Sequence, residues 1–375
     1  MRGKLVVFST RSMRRYAADV LGILRSDNGY GQRSECPDIE GHITVSRFAD
    51  GEMEAGIETS VRGRDVFLFA GAARNGLGLS VEECKVETYH AVDALRRAQA
   101  GRITLFEPYC SPARSDRLTR RNSVGLWIHF KILMSLGIDH YITFQLHSEK
   151  SKTVVDPAVC DIDDIPAHTL LQRYLCDCFV KTRENLVDNI RRDWAFCSVD
   201  VGGEALGKKF AASFGTKMII SMKQRDYSSP DTVDSINILS SEPIEGKKVW
   251  IVDDLVSTGH SICKLVQQLE KLCPSEINLA LVHPVFSDPS LDRLEELCAR
   301  NLLPNILVTD TVECGEEVRK RLPCLQIVPS VRLAADIIQR LNHELPLSPL
   351  LTPFNAVEYL SDAGSKKGKT LNPTS

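Results

Sequence analysis

Two adjacent carboxylates followed by a hydroxyl-rich turn form the most informative stretch of the chain. Asp253 and Asp254 end an apolar run. The turn that follows consists of Ser257, Thr258, Gly259, His260 and Ser261. A carboxylate pair can accept hydrogen bonds from the vicinal hydroxyls of a sugar, and hydroxyls and backbone amides at a helix start can hold a phosphate. The stretch therefore suits a ribose phosphate, whereas the alternative is that these residues merely cap a helix.

Two further groups of residues suit a nucleotide. Phe48 could stack on a purine ring while Asp50 and Glu52 accept hydrogen bonds from its exocyclic amine, although a solvated turn explains the segment at least as well. A loop farther on gathers four arginines in eight residues. Its residues include Arg114, Ser115, Asp116, Arg117, Arg120 and Arg121. Arginine binds phosphate oxygens bidentately, but a solvated basic loop has the same composition.

Two further pairs of residues could bind a metal ion and a transferring phosphoryl group, respectively. His147 and Asp200 each follow a predicted strand and could hold Mg²⁺, which prefers oxygen ligands and retains water. A lone histidine is more often structural. Lys223 and Arg225 follow another strand and precede the polar stretch 226–234, which could act as a lid. Alternating cations at the root of a lid suit transition-state charge stabilisation, with an ordinary basic loop as the alternative.

Strands that alternate with helices must position these residues. The apolar run 249–252 shows no polar alternation and predicts a buried parallel strand, and Ile262, Leu265 and Leu269 then recur at helical spacing. The same alternation occurs twice, which predicts an α/β protein with two mainly parallel sheets flanked by helices. We expect an N-terminal domain over 1–158 and a C-terminal domain over 159–350, with the helix 331–341 packing back on the first. The glycine- and lysine-rich residues 361–375 predict a disordered tail, whose likeness to a P-loop lacks the required strand and helix.

Bulk composition excludes several classes of function. The chain has 375 residues, a net charge of −3 and no apolar run of membrane-spanning length. Its charge offers no electrostatic attraction to nucleic acid or to an anionic membrane. The apolar part of the N-terminus is too short for a signal peptide. Twelve cysteines without a Cys-x-x-Cys pair indicate buried thiols in a reducing cytoplasm rather than a zinc site.

Taken in order, these motifs resemble the ribose-phosphate pyrophosphokinase family, also called phosphoribosyl pyrophosphate (PRPP) synthetases. The resemblance runs from about Leu5 to about Leu351. The segments 48–52, 113–117 and 146–147 are similar to the family's Phe-Ser-Asp-Gly-Glu, Ala-Arg-Gln-Asp-Arg and Leu-His motifs. The segments 199–203 and 252–261 are similar to its Pro-Asp-x-Gly-Gly and Val-Asp-Asp-Met-x-Asp-Thr-x-Gly-Thr motifs, the second of which type I phosphoribosyltransferases share.

The resemblance implies two type I phosphoribosyltransferase-like domains and a reaction. The β,γ-diphosphoryl group of ATP would move to the C1 hydroxyl of ribose 5-phosphate, giving PRPP and AMP, with Mg²⁺ and in a homo-oligomer built from dimers, often a hexamer. Phe48, Asp50 and Glu52 would contact adenine from a neighbouring subunit, and Arg114 with its neighbours would bind the ATP phosphates. The resemblance further implies Mg²⁺ binding by His147 and Asp200, charge stabilisation by Lys223 and Arg225, ribose binding by Asp253 and Asp254, and 5-phosphate binding by residues 257–261.

Departures from the family motifs leave two alternatives open. Gln145, Ser115 and Ser257 stand where the family has Asp, Gln and Asp, and His260 displaces a glycine. These changes motivate a non-catalytic member that regulates an active synthetase, although such proteins generally lose the catalytic cations. Ser257 also fits a phosphoribosyltransferase that consumes PRPP, whereas the adenine-type segment and the repeated α/β layout do not.

Overall fold

A computed structural model describes residues 2–28, 38–73, 76–118, 121–180, 186–200, 202–224 and 235–365. The chain divides into two compact units, each assembled from three segments. The first unit comprises Met1–Ala167, Asp310–Gly315 and Pro329–Thr352. The second comprises His168–Thr309, Glu316–Val328 and Pro353–Ser375. Each unit is built on a mainly parallel sheet, so the predicted α/β class is confirmed.

The first unit contains a five-stranded parallel sheet and a separate hairpin. In chain order its strands are β1 (Leu5–Ser9), β2 (Ile43–Arg47), β3 (Met53–Ile57), β4 (Asp65–Phe69), β5 (Arg102–Glu107), β6 (His140–Phe144) and β7 (Asp161–Ile165). The sheet order is β1-β4-β5-β6-β7, and β2 pairs only with β3. The helices are α1 (Arg14–Asn28), α2 (Val81–Arg97) and α3 (Gly125–Leu136). All five residues of β4 and of β6 are buried, as expected for central strands covered on both faces.

The last strand of this sheet was missed in the sequence. Residues 161–165 pair in parallel with β6 in the first unit, whereas the sequence predicts a domain division between 156 and 166 and places 161–165 in the second domain. The strand reads Asp-Ile-Asp-Asp-Ile and lies at the sheet edge, where only Ile165 is fully buried. An edge strand can carry polar residues on its exposed positions, and therefore it lacks the apolar run that revealed the central strands.

The second unit contains a seven-stranded sheet. Its strands are β8 (Trp194–Ser198), β9 (Met218–Gln224), β10 (Ser235–Leu239), β11 (Lys248–Leu255), β12 (Glu276–His283), β13 (Ile306–Thr309) and β14 (Leu325–Val328). The order is β10-β9-β8-β11-β12-β13-β14, parallel except where β10 meets β9. The helices are α4 (His168–Phe179), α5 (Leu186–Asp193), α6 (Glu204–Phe214), α7 (His260–Glu270), α8 (Ser290–Ala299) and α9 (Glu316–Arg321).

Three helices end the described chain. Helices α10 (Val331–Asn342) and α11 (Ser348–Leu351) belong to the first unit, where α10 packs against α1. Helix α12 (Ala356–Ser365) belongs to the second and packs against α4 and α6. It includes residues 361–365, which corrects the expectation of a disordered tail from 361 onward. The Asn355 side chain accepts the Glu358 amide at the helix start, and Ala356 and Leu360 are buried, so capping and packing hold this helix.

Two further expectations concern the C-terminal tail and membrane-spanning segments. Residues 366–375, which complete the P-loop-like string, lie outside the described residues. Within the described ranges, no helix combines the length and the apolarity needed to cross a membrane.

Candidate active site

The centre of the second sheet marks the place where a ligand is expected. Strands β8 and β11 are parallel neighbours, with Val252 opposite Ser198. From β8 the chain continues to β9 on one side, and from β11 it continues to β12 on the other. Open α/β sheets bind ligands outside the carboxyl ends of the strands at such a reversal of strand order. Asp200 follows β8, and Asp253 and Asp254 lie at the carboxyl end of β11.

The two carboxylates of β11 lie inside the strand rather than after it. The strand continues to Leu255, whose partner on β12 is His283, so the expected strand end at Val252 is three residues too early. The Asp254 amide donates to Asp253 Oδ1 at 2.9 Å. Successive side chains at the end of the strand point to opposite faces of the sheet. The polar residues there lack the apolar pattern that predicts the first part of the strand. The acidic pair is therefore held by the sheet ladder itself.

Asp253 is electrostatically unfavourable in this structure. Burial raises the pKa of its carboxyl well above the usual range, and the neighbouring Asp254 carboxylate and then Asp200 raise it further. The Asp253 carboxyl is thus exposed to the charge of two further carboxylates. Hydroxyl donors or a cation placed beside them would offset this repulsion, which is the chemistry expected of a sugar diol or of Mg²⁺.

A pair of glycines brings the loop after β8 close to these carboxylates. The Gly203 amide donates to Asp200 Oδ1 at 3.1 Å. A Cβ atom built on Gly203 would lie 3.3 Å from Asp253 Oδ1, and one built on Gly202 would lie 3.1 Å from Asp200 Oδ1. Side chains at either position would crowd the carboxylates, so the Gly-Gly sequence is explained by close packing of backbone against Asp200 and Asp253.

The turn after β11 opens α7 without a side-chain cap. The N-cap is Gly259, in a left-handed conformation with φ of 72°, and no side-chain hydrogen bond caps the helix there. The residue at the N-cap is thus a glycine and not one of the serines or the threonine of the turn. The amide end of a helix attracts anions through its unsatisfied N–H groups and its dipole. A phosphate could bind at this position, within the segment of Ser257 to Ser261.

Helix α8 supports the same turn from outside. Arg293 Nη1 donates to the Thr258 carbonyl at 2.6 Å. A Cβ atom on Gly259 would lie 3.5 Å from the Ser290 Cα atom. Sequence reasoning did not find α8 or Arg293. The helical spacing of Leu291, Leu294 and Leu297, all buried, is the signal that could have revealed the helix.

The aromatic segment lies at the tip of the β2–β3 hairpin in the first unit. The Phe48 amide donates to the Glu52 carbonyl at 2.9 Å, and Asp50 Oδ1 accepts the Glu52 amide at 3.1 Å. Gly51 has φ of 95°, which the tight turn requires. The Phe48 side chain is 55% exposed. The turn thus presents an aromatic ring and two carboxylates together on an exposed surface.

The arginine loop precedes α3, and Ser115 has a defined local role in it. Ser115 Oγ accepts the Gly125 amide at 2.8 Å, and the Ser115 carbonyl accepts the Leu126 amide at 3.0 Å. Both bonds hold the start of α3, so the serine that replaces the family's glutamine acts as a helix-capping residue. Arg114 is exposed and Asp116 is partly buried. Arg120 lies outside the described residues.

His147 lies on an exposed turn after β6. Gln145 adopts φ of 46°, and its amide donates to the Ile165 carbonyl. The Leu146 amide donates to Asp164 Oδ1 at 2.9 Å, and burial raises the pKa of the Asp164 carboxyl. Asp164 on β7 therefore supports the histidine turn, although sequence reasoning had missed the whole strand. His147 belongs to the first unit and Asp200 to the second, so their joint binding of a metal stays a prediction.

The first of the two predicted catalytic cations lies at the end of β9. The strand runs to Gln224, so Lys223 lies within it and not after it as expected, and its partner on β10 is Ile236. Arg225 and the proposed lid, 226–234, lie outside the described residues. Among the described residues, no group of three or more His, Cys, Asp or Glu forms a ready metal-binding cluster.

The strand-order reversal, the acidic pair and the glycine-capped helix define a phosphoribosyltransferase-type α/β protein. Residues 177–309 match the family model of the phosphoribosyl transferase domain, and residues 5–137 match that of the N-terminal domain of ribose phosphate pyrophosphokinase. The chain belongs to the ribose-phosphate pyrophosphokinase family.

Individual relatives agree with this assignment. Ribose-phosphate pyrophosphokinase 1 of Streptococcus pyogenes serotype M1 is 29% identical over 316 residues, covering 84% of this chain and 91% of the relative. The enzyme of the same name from Streptococcus agalactiae is 28% identical over 311 residues, covering 83% and 89%. The crystal structure of phosphoribosylpyrophosphate synthetase from Mycobacterium smegmatis matches 91% of this chain and 99% of its own, with 24% identity and a TM-score of 0.73, which supports the fold.

Proposed function

We propose that the chain is a ribose-phosphate diphosphokinase, which transfers the β,γ-diphosphoryl group of ATP to the C1 hydroxyl of ribose 5-phosphate and releases AMP and PRPP. The observation that carries the proposal is the acidic pair of β11 beside the glycine-capped start of α7, at the reversal of strand order. The N-terminal family match distinguishes this activity from that of a phosphoribosyltransferase, because it covers the domain specific to the pyrophosphokinases.

Ribose 5-phosphate occupies the second unit in this proposal. Asp253 and Asp254 accept hydrogen bonds from the ribose hydroxyls, which relieves the repulsion that raises the pKa of Asp253. The turn from Ser257 to Ser261 and the first amides of α7 hold the 5-phosphate. Arg293 keeps the Thr258 carbonyl in place and therefore acts as a positioning residue.

ATP is bound by elements of the first unit. The exposed Phe48 ring stacks on adenine while Asp50 and Glu52 accept from its amine, and a neighbouring subunit supplies this hairpin. Arg114 binds the phosphates from the loop that Ser115 anchors to α3, with Asp116 beside it. The proposal thus includes a homo-oligomer assembled from dimers, and a cytoplasmic location where ATP is available.

The reaction is an in-line substitution at the β-phosphorus. The C1 oxygen of the ribose forms the new bond to the β-phosphorus, and the bond from that phosphorus to the oxygen it shares with the α-phosphate breaks. AMP leaves with that oxygen, and the hydroxyl proton passes to solvent. Lys223 and Arg225 neutralise the charge that builds on the transferring group. Asp200 and His147 would hold Mg²⁺, which would neutralise the phosphates, and the carboxylate oxygens of Asp200 suit its preference for oxygen ligands. Placement and charge neutralisation suffice, since no covalent enzyme intermediate is required.

The defining experiment is an AMP-release assay with ATP, Mg²⁺ and ribose 5-phosphate. We expect AMP and PRPP in equal amounts, and no AMP when ribose 5-phosphate is left out. The absence of both products at high enzyme concentration, with activity appearing only after addition of an active synthetase, would instead identify a regulatory member. Release of pyrophosphate that depends on a nucleobase and on PRPP would identify a phosphoribosyltransferase.

Substitution of Arg293 tests the support of the phosphate-binding turn. We expect Arg293→Ala to raise KM for ribose 5-phosphate about tenfold, since one charge-assisted hydrogen bond to the turn is lost, while kcat changes little. Arg293→Lys should recover part of this loss. Arg300→Ala is the matched control, because Arg300 lies at the other end of α8 and pairs only loosely with Glu270, at 3.8 Å. Equal KM values for Arg293→Ala and the control would show that Arg293 does not support the phosphate-binding turn.

A further inference from the structure

Two cysteines of the second unit lie in unusually close contact. Cys298 lies on α8, and Cys324 immediately precedes β14. Their sulfur atoms are 2.7 Å apart, and both residues are partly accessible to solvent. A disulfide bond has a sulfur–sulfur distance of about 2.0 Å, so only a small movement separates the two thiols from bonding distance.

A shared zinc ion does not explain this contact. Thiolates bound to one tetrahedral zinc at about 2.3 Å lie about 3.8 Å from each other, which is farther apart than these sulfur atoms. No further ligand completes a site either, since the described part of the chain contains no cluster of three or more potential metal ligands. The geometry favours a bond between the sulfur atoms over a metal between them.

A neighbouring ion-pair cluster already holds the two segments together. Arg321 lies three residues before Cys324, and Glu295 lies three residues before Cys298. The Arg321 guanidinium contacts Glu295 at 2.6 Å and Asp292 at 2.6 Å. Because these contacts bring α8 and the segment before β14 together, the thiols are positioned before any oxidant arrives, and little further ordering is needed.

We propose that Cys298 and Cys324 form an oxidisable dithiol, which closes to an intramolecular disulfide in the presence of a peroxide. The Cys324 thiolate attacks one peroxide oxygen, giving a sulfenic acid and releasing water after protonation. The Cys298 sulfur then attacks the Cys324 sulfur, the S–S bond forms, and the hydroxyl leaves as a second water. Two thiols are oxidised by two electrons as one hydrogen peroxide is reduced to two waters.

The protonation of the pair suits this order of events. The hydrogen bond between the two thiols lowers the pKa of Cys324 and raises that of Cys298. A thiolate is the nucleophile in reactions of cysteine with oxidants, and partial exposure lets the oxidant reach it. Cys324 is therefore the residue that reacts with the peroxide first, and Cys298 is the resolving thiol.

Peptide mapping after graded peroxide treatment tests the proposal on the full-length protein. Free thiols are alkylated, the protein is digested with trypsin, and the linked peptides 294–300 and 322–332 are sought with and without reductant. We expect the linked pair at roughly tenfold lower peroxide than is needed to oxidise Cys273, which is exposed. Closure should raise Tm by roughly 3–6 °C, and reductant should reverse the shift.

Single substitutions separate the two roles. Cys324→Ser should abolish the link and leave Cys298 alkylatable. Cys298→Ser should also abolish the link but leave a sulfenic acid on Cys324 that a dimedone-type reagent traps. Cys273→Ser is the matched control and should behave as the wild type. The proposal is wrong if both thiols stay alkylatable when Cys273 is already oxidised, or if the only disulfides formed join two chains.

Discussion

Lys223→Ala is expected to lower kcat for AMP release by a factor of about 10²–10³ and to leave KM for ribose 5-phosphate nearly unchanged. Lys223 lies in the last part of β9, three residues before the segment proposed as a lid. A cation that contacts the transferring diphosphoryl group acts mainly in the transition state, where negative charge is redistributed. Loss of one such contact typically costs two to three orders of magnitude in turnover.

Lys217→Ala provides the matched control for this measurement. Lys217 is an exposed lysine that directly precedes the same strand at its opposite end. Its substitution removes the same charge from the same unit, and we expect turnover within a factor of two of the wild type. Initial rates of AMP release should be measured at saturating ribose 5-phosphate. If Lys223→Ala and Lys217→Ala turn over equally, the assigned role of Lys223 in catalysis is wrong.

The parts of the fold that the sequence revealed are those whose residues are buried on both sides. Strand β11 contains four consecutive buried residues, Val249 to Val252, and its apolar run is recognisable without any structure. The same strand continues through two aspartates that no hydrophobic pattern could assign to it. Strand β7 was missed for the same reason, because three of its five residues are aspartates. Hydrophobic patterning reports burial, so it fails at sheet edges and at ligand-binding ends.

The residues of the candidate site likewise divide into those that the sequence reveals and those that it does not. Residues that would touch a ligand were found because their types and order form motifs. Residues that hold those motifs in place were not, since they come from distant parts of the chain. Asp164 supports the turn before His147 from another strand, and Arg293 supports Thr258 across 35 residues. Such contacts form only in the tertiary structure. Each is made to a backbone group, which does not depend on the residue type and is therefore not visible in a sequence motif.

Substitution of Asp253 is expected to change both the stability of the protein and its binding of ribose 5-phosphate. We expect Asp253→Asn to stabilise the ligand-free protein by about 0.5–2 kcal/mol while weakening binding of ribose 5-phosphate at least tenfold. Burial and the Asp254 carboxylate hold the pKa of Asp253 well above its usual range, so the charged carboxylate disfavours the folded state. An amide of nearly the same shape removes that charge. Asparagine also carries an NH₂ group, a donor, in place of one of the carboxylate oxygens proposed to accept from the ribose hydroxyls.

The pH dependence of this gain has a definite sign. The raised pKa means that the folded chain binds the Asp253 proton more tightly than the unfolded chain, whose aspartates titrate at about 4. The stability contributed by this protonation is complete below that pH and is lost as the pH rises through the folded pKa. The asparagine variant does not titrate. Its advantage in free energy of unfolding should therefore be small near pH 4 and greatest at pH 8.

Denaturant unfolding at both pH values, paired with calorimetric titration of ribose 5-phosphate, measures the two effects. Asp188→Asn is a suitable control, since Asp188 lies in the same unit on α5 and is exposed, and its distance to Arg191 is 3.8 Å. We expect the control to change stability by less than about 0.5 kcal/mol and to bind normally. A stabilised Asp253→Asn that still bound ribose 5-phosphate as tightly as the wild type would show that the acidic pair has no role in holding the sugar. A destabilised variant would show that the carboxylate repulsion inferred from the structure is already offset within the protein.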